Sequence, residues 1–316
     1  MQVMKVINPG PLSTIQDAGR FGYMCTGFGT NGAMDSLSME IANILVGNEP
    51  GAGVVEMTML GMTVEFTCNA VIALTGAPME ILRGEEIIPM YQAVEVFAGD
   101  RLTMGAAQSG MRTYLAVAGG FDLPMVMGSM STNLKCGIGG FKGRKLAAGD
   151  ELPLRQSVSL SMVGQSKCQL ENDYPNAQVV RVVLGPQEDY FTDAGIETFL
   201  SAGYKVSGQS DRMGVRLDGK AIENKNGVDI ISDGIAYGSV QIPASGTPII
   251  MMADRQTTGG YAKIATVITA DLPKIAQAKP GSTICFRAVT EKEAVAALKE
   301  QRKMLAQLQY AMYFVR

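Results

Sequence analysis

The chain of 316 residues contains no histidine and no tryptophan. Without imidazole, the Ser-His-Asp and Cys-His nucleophile systems and every His-ligated metal site are excluded together. Any general acid or base must be a carboxylate, a lysine, a tyrosine, a cysteine or a bound water. Cysteine is scarce as well. Cys25, Cys68, Cys136, Cys168 and Cys285 are odd in number, widely spaced and never form Cys-x-x-Cys, so neither a disulfide framework nor a structural zinc site is expected. Cys68 and Cys285 fall in strand-like runs and read as small core residues, whereas Cys136, beside Lys135 in a glycine-rich loop, is a candidate reactive thiol. No apolar run approaches the roughly 18 residues that a spanning helix needs. Nor does the stretch from Met1 to Gly10 carry a signal-peptide core before its turn residues. The net charge is −3, the wrong sign for an electrostatic nucleic-acid binder. The expectation is a cytoplasmic protein that uses no metal of its own and meets neither membrane nor nucleic acid.

Apolar residues make up 47% of the chain and include 21 methionines, enough to build the cores of two domains. Strand-like runs occupy residues 62–67, 70–75, 93–97, 101–104, 113–118, 179–184, 248–253, 265–269 and 283–287. A local pattern recurs. Ala98-Gly99-Asp100-Arg101-Leu102 returns as Ala148-Gly149-Asp150-Glu151-Leu152 and, loosely, as Pro280-Gly281-Ser282-Thr283-Ile284, each a tight turn feeding a strand. Helices are few: residues 35–46 stopping at Gly47, residues 187–202, and residues 291–309, opened by Thr290 with Glu293 in capping-box register. Between Arg155 and Gln178 the chain turns polar and loses its period, which marks a domain boundary. We therefore expect a mainly β protein. It should have a β-barrel-like domain over residues 1–158, a linker at 159–178, and a second such domain over 179–316 that ends in a helix.

Three polar loops stand out against this background. The apolar run ending at Ala253 empties without warning into Asp254-Arg255-Gln256-Thr257-Thr258-Gly259-Gly260-Tyr261-Ala262-Lys263. It is either an ordinary polar turn or a ligand site in which glycines admit backbone N–H groups and a strand holds the side chains still. Residues 128–145 carry five glycines, four cations and three hydroxyls, with Lys135 and Arg144 among them. Such a loop suits an anionic phosphate, although it lacks the Gly-x-x-x-x-Gly-Lys-Ser/Thr spacing. Near the N-terminus Thr14-Ile15-Gln16-Asp17-Ala18-Gly19-Arg20-Phe21-Gly22-Tyr23 places Asp17 and Arg20 within reach of one another. They form either a bridge that pins a loop or an acid-held arginine fork for a carboxylate or phosphate. Ser210, Asp211 and Arg212 repeat this mixture at a turn, and Gln241 stands in a strand-like run where its amide must find a partner.

Taken together, the segments 14–23, 128–144, 210–217 and 254–263 resemble the family of 5-oxoprolinase C-subunits, also called KipA-like. The chain is similar as well to the subunit-2 part of allophanate hydrolase and to the carboxyltransferase region of urea carboxylase. The resemblance implies two cyclophilin-like β-barrel domains, and partners in the form of a KipI-like B-subunit and a third, A-type component. The reaction it implies opens the small lactam 5-oxoproline to glutamate at the expense of ATP, a co-substrate accompanied by Mg2+. On this reading Asp254, Gln256, Lys263 and Lys135 are the catalytic candidates. Arg212, Gln241, Ser210, Thr257, Thr258, Gly259, Gly260 and Arg144 bind substrate or phosphate, while Asp17 and Arg20 shape the mouth or meet the B-subunit. One departure is Ala262, where the family commonly has proline. The alternatives are an allophanate- or urea-type carboxyltransferase subunit, or a KipA-like regulator that antagonises a kinase inhibitor.

Overall fold

The computed structural model describes residues 2–155, 167–168, 173–225 and 227–314, the last two of these without their side chains. The chain divides into two compact units. The first comprises Met1–Phe21, Asn31–Tyr174 and Lys303–Arg316, and the second Gly22–Thr30 and Pro175–Arg302. This division departs from a cut at 159–178 in two places. Residues 22–30 belong with the second half of the chain, and the end of the terminal helix belongs with the first. Most of the expected linker, 159–166 and 169–172, lies outside the described residues.

In the first unit the strands are β1 (Val3–Asn8), β2 (Ser13–Gln16), β3 (Val54–Thr58), β4 (Thr63–Phe66), β5 (Ala70–Gly76), β6 (Ile81–Arg83), β7 (Glu86–Ile87), β8 (Val94–Val96), β9 (Arg101–Met104), β10 (Arg112–Val117) and β11 (Glu151–Pro153). They form two sheets, ordered β11-β1-β4-β9-β6-β7 and β2-β3-β10-β5-β8. Strand alternation explains the layers. On β5, Ala70, Ile72 and Leu74 enter a core shared with Met4, Val64, Phe66 and Leu102 of the six-stranded sheet. Val71 and Ala73 enter a second apolar cluster on the opposite face, with Met39, Ile41 and Leu45 of helix α1 (Ser36–Leu45). A strand buried on both faces is expected to be largely apolar, and in β5 the one polar side chain, Thr75, donates its hydroxyl to the Ser38 carbonyl at 2.6 Å. Asp35 caps α1 by accepting the Ser38 N–H at 3.0 Å, a bond worth about 1 kcal/mol. The helix stops where Gly47 takes φ of 74°, as its position after residue 46 suggested.

The second unit contains β12 (Ala177–Leu184), helix α2 (Asp193–Ser201), β13 (Gly203–Val206), β14 (Gly214–Asp218), β15 (Asp229–Gly234), β16 (Ser239–Gln241), β17 (Ile249–Met251), β18 (Thr258–Tyr261), β19 (Lys263–Val267), helix α3 (Leu272–Gln277) and β20 (Thr283–Ala288). Seven strands close into a barrel in the order β12-β19-β16-β17-β14-β13-β20, and β15 and β18 form a separate two-stranded ribbon. The cross-strand pairs Val182–Val267, Val180–Phe286, Tyr204–Ile284, Val206–Leu217, Val215–Ile250 and Val240–Ala265 run around the ring. Every one of these side chains is buried, so this row fills the lumen.

The architecture is the mainly β one expected, including the terminal helix α4 (Glu291–Phe314). Its capping box is present: Thr290 Oγ1 accepts the Glu293 N–H at 3.3 Å, and Glu293 Oε2 accepts the Thr290 N–H at 2.8 Å. Leu305 and Met312 of α4 are buried in the cluster with α1. The recurring Gly-Asp and Gly-Ser turns also fold alike. Gly99, Gly149 and Gly281 have φ of 93°, 86° and 89°. The residue after each glycine donates to the carbonyl three residues before it (Asp100 to Phe97, Asp150 to Ala147, Ser282 to Lys279), and a strand follows. The expected helix over 187–202 is shorter. Phe191 is buried and bridges to Asn224, and α2 starts only after Thr192, whose hydroxyl accepts the Gly195 N–H at 2.9 Å.

Candidate functional site

Because the lumen row contains Val215, Ile250 and Val240, the neighbouring residues Arg216, Ile249 and Gln241 must face outward, and Lys263, paired with Gln241, turns its ammonium to Asp233 of β15. The register slips between Val240 and Gln241, a bulge that re-aims the side chains beside it. The ribbon of β15 and β18 comes against this wall: Gln241 Nε2 donates to the Tyr261 carbonyl at 3.4 Å. Between them lies a cavity of about 470 Å³ whose lining includes Asp211, Arg216, Gln241, Gln256, Ile249, Met251 and Tyr261. Gly259 is a glycine for a reason of space. A Cβ there would stand 2.7 Å from Ile235 Cδ1, 3.0 Å from Gln241 Nε2 and 3.5 Å from Gln256 Nε2, filling the gap between the two amides.

Around the cavity the other charged candidates are already engaged. Arg212 holds Asp254 in a two-pronged ion pair, Nε–Oδ2 2.8 Å and Nη2–Oδ1 3.1 Å, with both side chains largely buried. Lys263, buried on the same wall, gives its ammonium to Asp233 Oδ2 at 2.9 Å. That bond, helped by the Gly234 N–H, holds the Asp233 carboxyl below the usual range. Arg255 is buried too and donates to the Ile235 carbonyl at 3.0 Å and to Thr30 Oγ1 at 3.2 Å, over the Tyr237 ring. Burial lowers its pKa. Ser210 Oγ accepts the Arg216 N–H at 3.0 Å and donates to the Arg216 carbonyl at 3.3 Å, shaping the turn that presents Arg216. Thr257 accepts the Ile235 N–H through its carbonyl at 3.0 Å, while Thr258 and Gly260 belong to β18. Ala262 is held through its backbone, whose N–H donates to the Val228 carbonyl at 2.7 Å. A proline at 262 could not make that bond.

In the first unit the N-terminal and glycine-rich loops lock together. Asp17 Oδ1 accepts from Ser129 Oγ at 2.7 Å, Ser131 Oγ at 2.5 Å and the Gly19 N–H at 2.8 Å. Its Oδ2 accepts the Met130 N–H at 2.5 Å. These bonds to the Asp17 carboxylate come from the serines and backbone, and Arg20 has its own set. The guanidinium, fully buried, donates to the Val126 carbonyl at 3.0 Å, Asn31 Oδ1 at 2.7 Å and the Ser131 carbonyl at 3.0 Å. Both residues therefore fasten the loop, and of the two Asp17 also touches a second cavity of about 370 Å³ beside Asn48, Phe121 and Met130. Arg144 is committed to Asp150 through two bonds of 2.7 and 2.6 Å. Lys135 and Cys136 are exposed, with no ion pair at Lys135 among the described residues. All five cysteines are free; Cys68 and Cys285 are half-buried rather than core residues.

The structure thus brings Gln241 and Gln256 to one cavity, with Gly259 close to both amides, and places Asp254, Arg212 and Lys263 in ion pairs within the same unit. Sequence reasoning passed over Arg216, Tyr261 and Asp233. The pattern that finds Arg216 is the alternation Gly214-Val215-Arg216-Leu217, which puts the arginine on the face opposite the two apolar residues. Among the described residues there is no group of three or more His, Cys, Asp or Glu placed to hold a metal, and no helix is long and apolar enough to cross a membrane.

A mainly β chain with a closed barrel and an amide-lined cavity on the barrel's outer wall now has a family. The model of the carboxyltransferase domain, subdomain A and B, matches residues 26–288, and the chain belongs to that family. Within it, the sequence is 40% identical over 311 residues to the C-subunit of 5-oxoprolinase from Escherichia coli K12, covering 98% of this chain and 99% of that one. The corresponding C-subunit of Haemophilus influenzae is 38% identical over 302 residues, 94% of each chain. Among solved structures, the urea amidolyase of Kluyveromyces lactis superposes with a TM-score of 0.88 at 30% identity over 97% of this chain. There the chain spans only 20% of the larger enzyme.

Proposed function

We propose that this chain is the C-type component of an ATP-dependent 5-oxoprolinase, opening 5-oxo-L-proline to L-glutamate together with A- and B-type partners. The observation that carries the reading is end-to-end likeness, at 40% identity, to a protein of that name. A lactam is a poor electrophile. Transfer of the terminal phosphoryl group of ATP to the lactam oxygen activates the ring carbon toward water, and the products are glutamate, ADP and phosphate. Such chemistry asks a protein mainly for positioning and charge stabilisation, and a chain without histidine can supply both. Lys135, exposed on a loop where Gly137, Gly139, Gly140 and Gly143 all take positive φ, supports a role in steadying the anionic phosphoryl group in transfer. Gln241 and Gln256 support recognition of an amide.

The test is reconstitution with the A- and B-type partners of the same genome and measurement of ATP-coupled glutamate release. An associated three-component complex that releases no glutamate would overturn the reading. A second reading, a urea-type carboxyltransferase component, is favoured by the likeness to Kluyveromyces lactis urea amidolyase. It requires biotin carboxylase and carrier modules from other chains. Turnover of urea or allophanate in place of 5-oxoproline by the same preparation decides between them.

A further inference from the structure

Polar groups in and around the outer-wall cavity differ sharply in how far they are satisfied. Arg212 and Lys263 each hold a carboxylate. Arg216, exposed at the cavity, makes no side-chain hydrogen bond or ion pair among the described residues. The Gln256 amide and the Tyr261 hydroxyl are likewise uncommitted, and buried Gln241 spends its amide on a single long bond of 3.4 Å. A cation, two amides and a phenol left open around Ile249 and Met251 define a complementary guest. It carries one carboxylate for the guanidinium, an amide that both donates and accepts, and a compact apolar body.

Resting on the reading above, we propose that this cavity is the lactam-acid subsite: Arg216 takes the carboxylate of 5-oxo-L-proline while Gln241 and Gln256 pair with its ring amide. Gly259 keeps the space between the two amides clear. The ring methylenes rest on Ile249 and Met251, and Tyr261 closes the exposed side. Arg216 is thus a specificity residue that recognises the substrate's charge and takes no part in phosphoryl transfer. A lysine at 216 keeps the charge but loses the planar fork.

The experiment uses the reconstituted three-component complex, wild type and with Arg216→Ala, Arg216→Lys or Gln256→Ala. It measures equilibrium dialysis of labelled 5-oxo-L-proline alongside steady-state rates. The descarboxy lactam 2-pyrrolidinone serves as competitor and alternative substrate. For Arg216→Ala we expect Kd and KM for 5-oxo-L-proline to rise about 30-fold, the loss of one charged bidentate contact, with kcat within about two-fold and 2-pyrrolidinone unaffected. Arg216→Lys should recover part of the loss. The thermal midpoint should stay at the wild-type value, since the Arg216 side chain bonds to no other residue among those described. Equal Kd in wild type and Arg216→Ala, or equal losses for both lactams, would overturn the subsite while leaving the 5-oxoprolinase reading intact. Binding that depends on Arg216 without turnover would overturn that reading and uphold the subsite. A complex that binds no 5-oxo-L-proline overturns both.

Discussion

In the first unit Arg20 is fully buried and spends its guanidinium on Val126, Asn31 and Ser131. In the second unit Arg216 stands at a cavity with no side-chain partner among the described residues. The local sequences are alike: an arginine, an acid three to five residues before it, and nearby glycines. The difference lies in what the remote chain supplies. Residues 126–131 return to Arg20 and Asp17 from more than a hundred positions away, whereas among the described residues no side-chain partner returns to the Arg216 guanidinium. An arginine satisfied by carbonyls is an anchor, and one left open beside two amides is a receptor. Residue type does not separate these cases; the balance of donors and acceptors does.

Four measurements can break or sharpen this contrast. The largest effect is expected at the anchor. Arg20→Ala removes three charge-assisted hydrogen bonds and leaves a void, costing about 3 kcal/mol or more. The thermal midpoint should fall on the order of 10 °C; a variant as stable as wild type would show that Arg20 is no anchor. Next comes the receptor, where Arg216→Ala should leave that midpoint in place and cost about 30-fold in KM. A smaller effect is expected from Ala262→Pro, which deletes the N–H bonded to Val228 at a cost of about 1 kcal/mol. A stabilised variant would contradict the hydrogen-bond account.

The mildest effect is acid sensitivity. Burial raises the carboxyl of Asp271, but bonds from the Arg181 guanidinium and N–H, with Lys274 nearby, bring it below its usual 3.8. A carboxyl depressed in the folded state contributes fully above its unfolded pKa, and that contribution is lost as pH falls through the folded value. Thermal midpoints measured downward from pH 5 should therefore fall more for wild type than for Asp271→Asn. Parallel curves would remove Asp271 from the account.

Much of the fold was legible. The run 70–75 appears as β5, the strand at 101–104 has the bounds expected, and three glycine turns feed strands as their shared pattern suggested. Short strands such as β15 and β18 were missed because they lie in polar, glycine-containing sequence whose pairing is specified across the ribbon rather than within it. The grouping of the chain was less legible still. Helix α4 returns Leu305 and Met312 to the cluster around α1, and Thr30 accepts from Arg255; no contiguous cut at 159–178 can express either contact. For the site, the polar loops were visible, and Gln241 and Gln256 do line one cavity, with Gly259 close to both amides. Arg144, Arg212, Asp254 and Lys263 looked equally available and are held in ion pairs.

By itself, then, the order of residues determined that the chain would be mainly β, would carry no imidazole of its own, and would gather charged and polar residues beside glycines. Period, turn preference and side-chain inventory are local properties, and a linear string carries them in full. Which cation is spent on the fold and which stays open to a ligand was decided only in three dimensions. A charged group is satisfied by whatever the folded chain brings within about 3 Å of it, and for Arg20 and Lys263 those partners come from far along the chain.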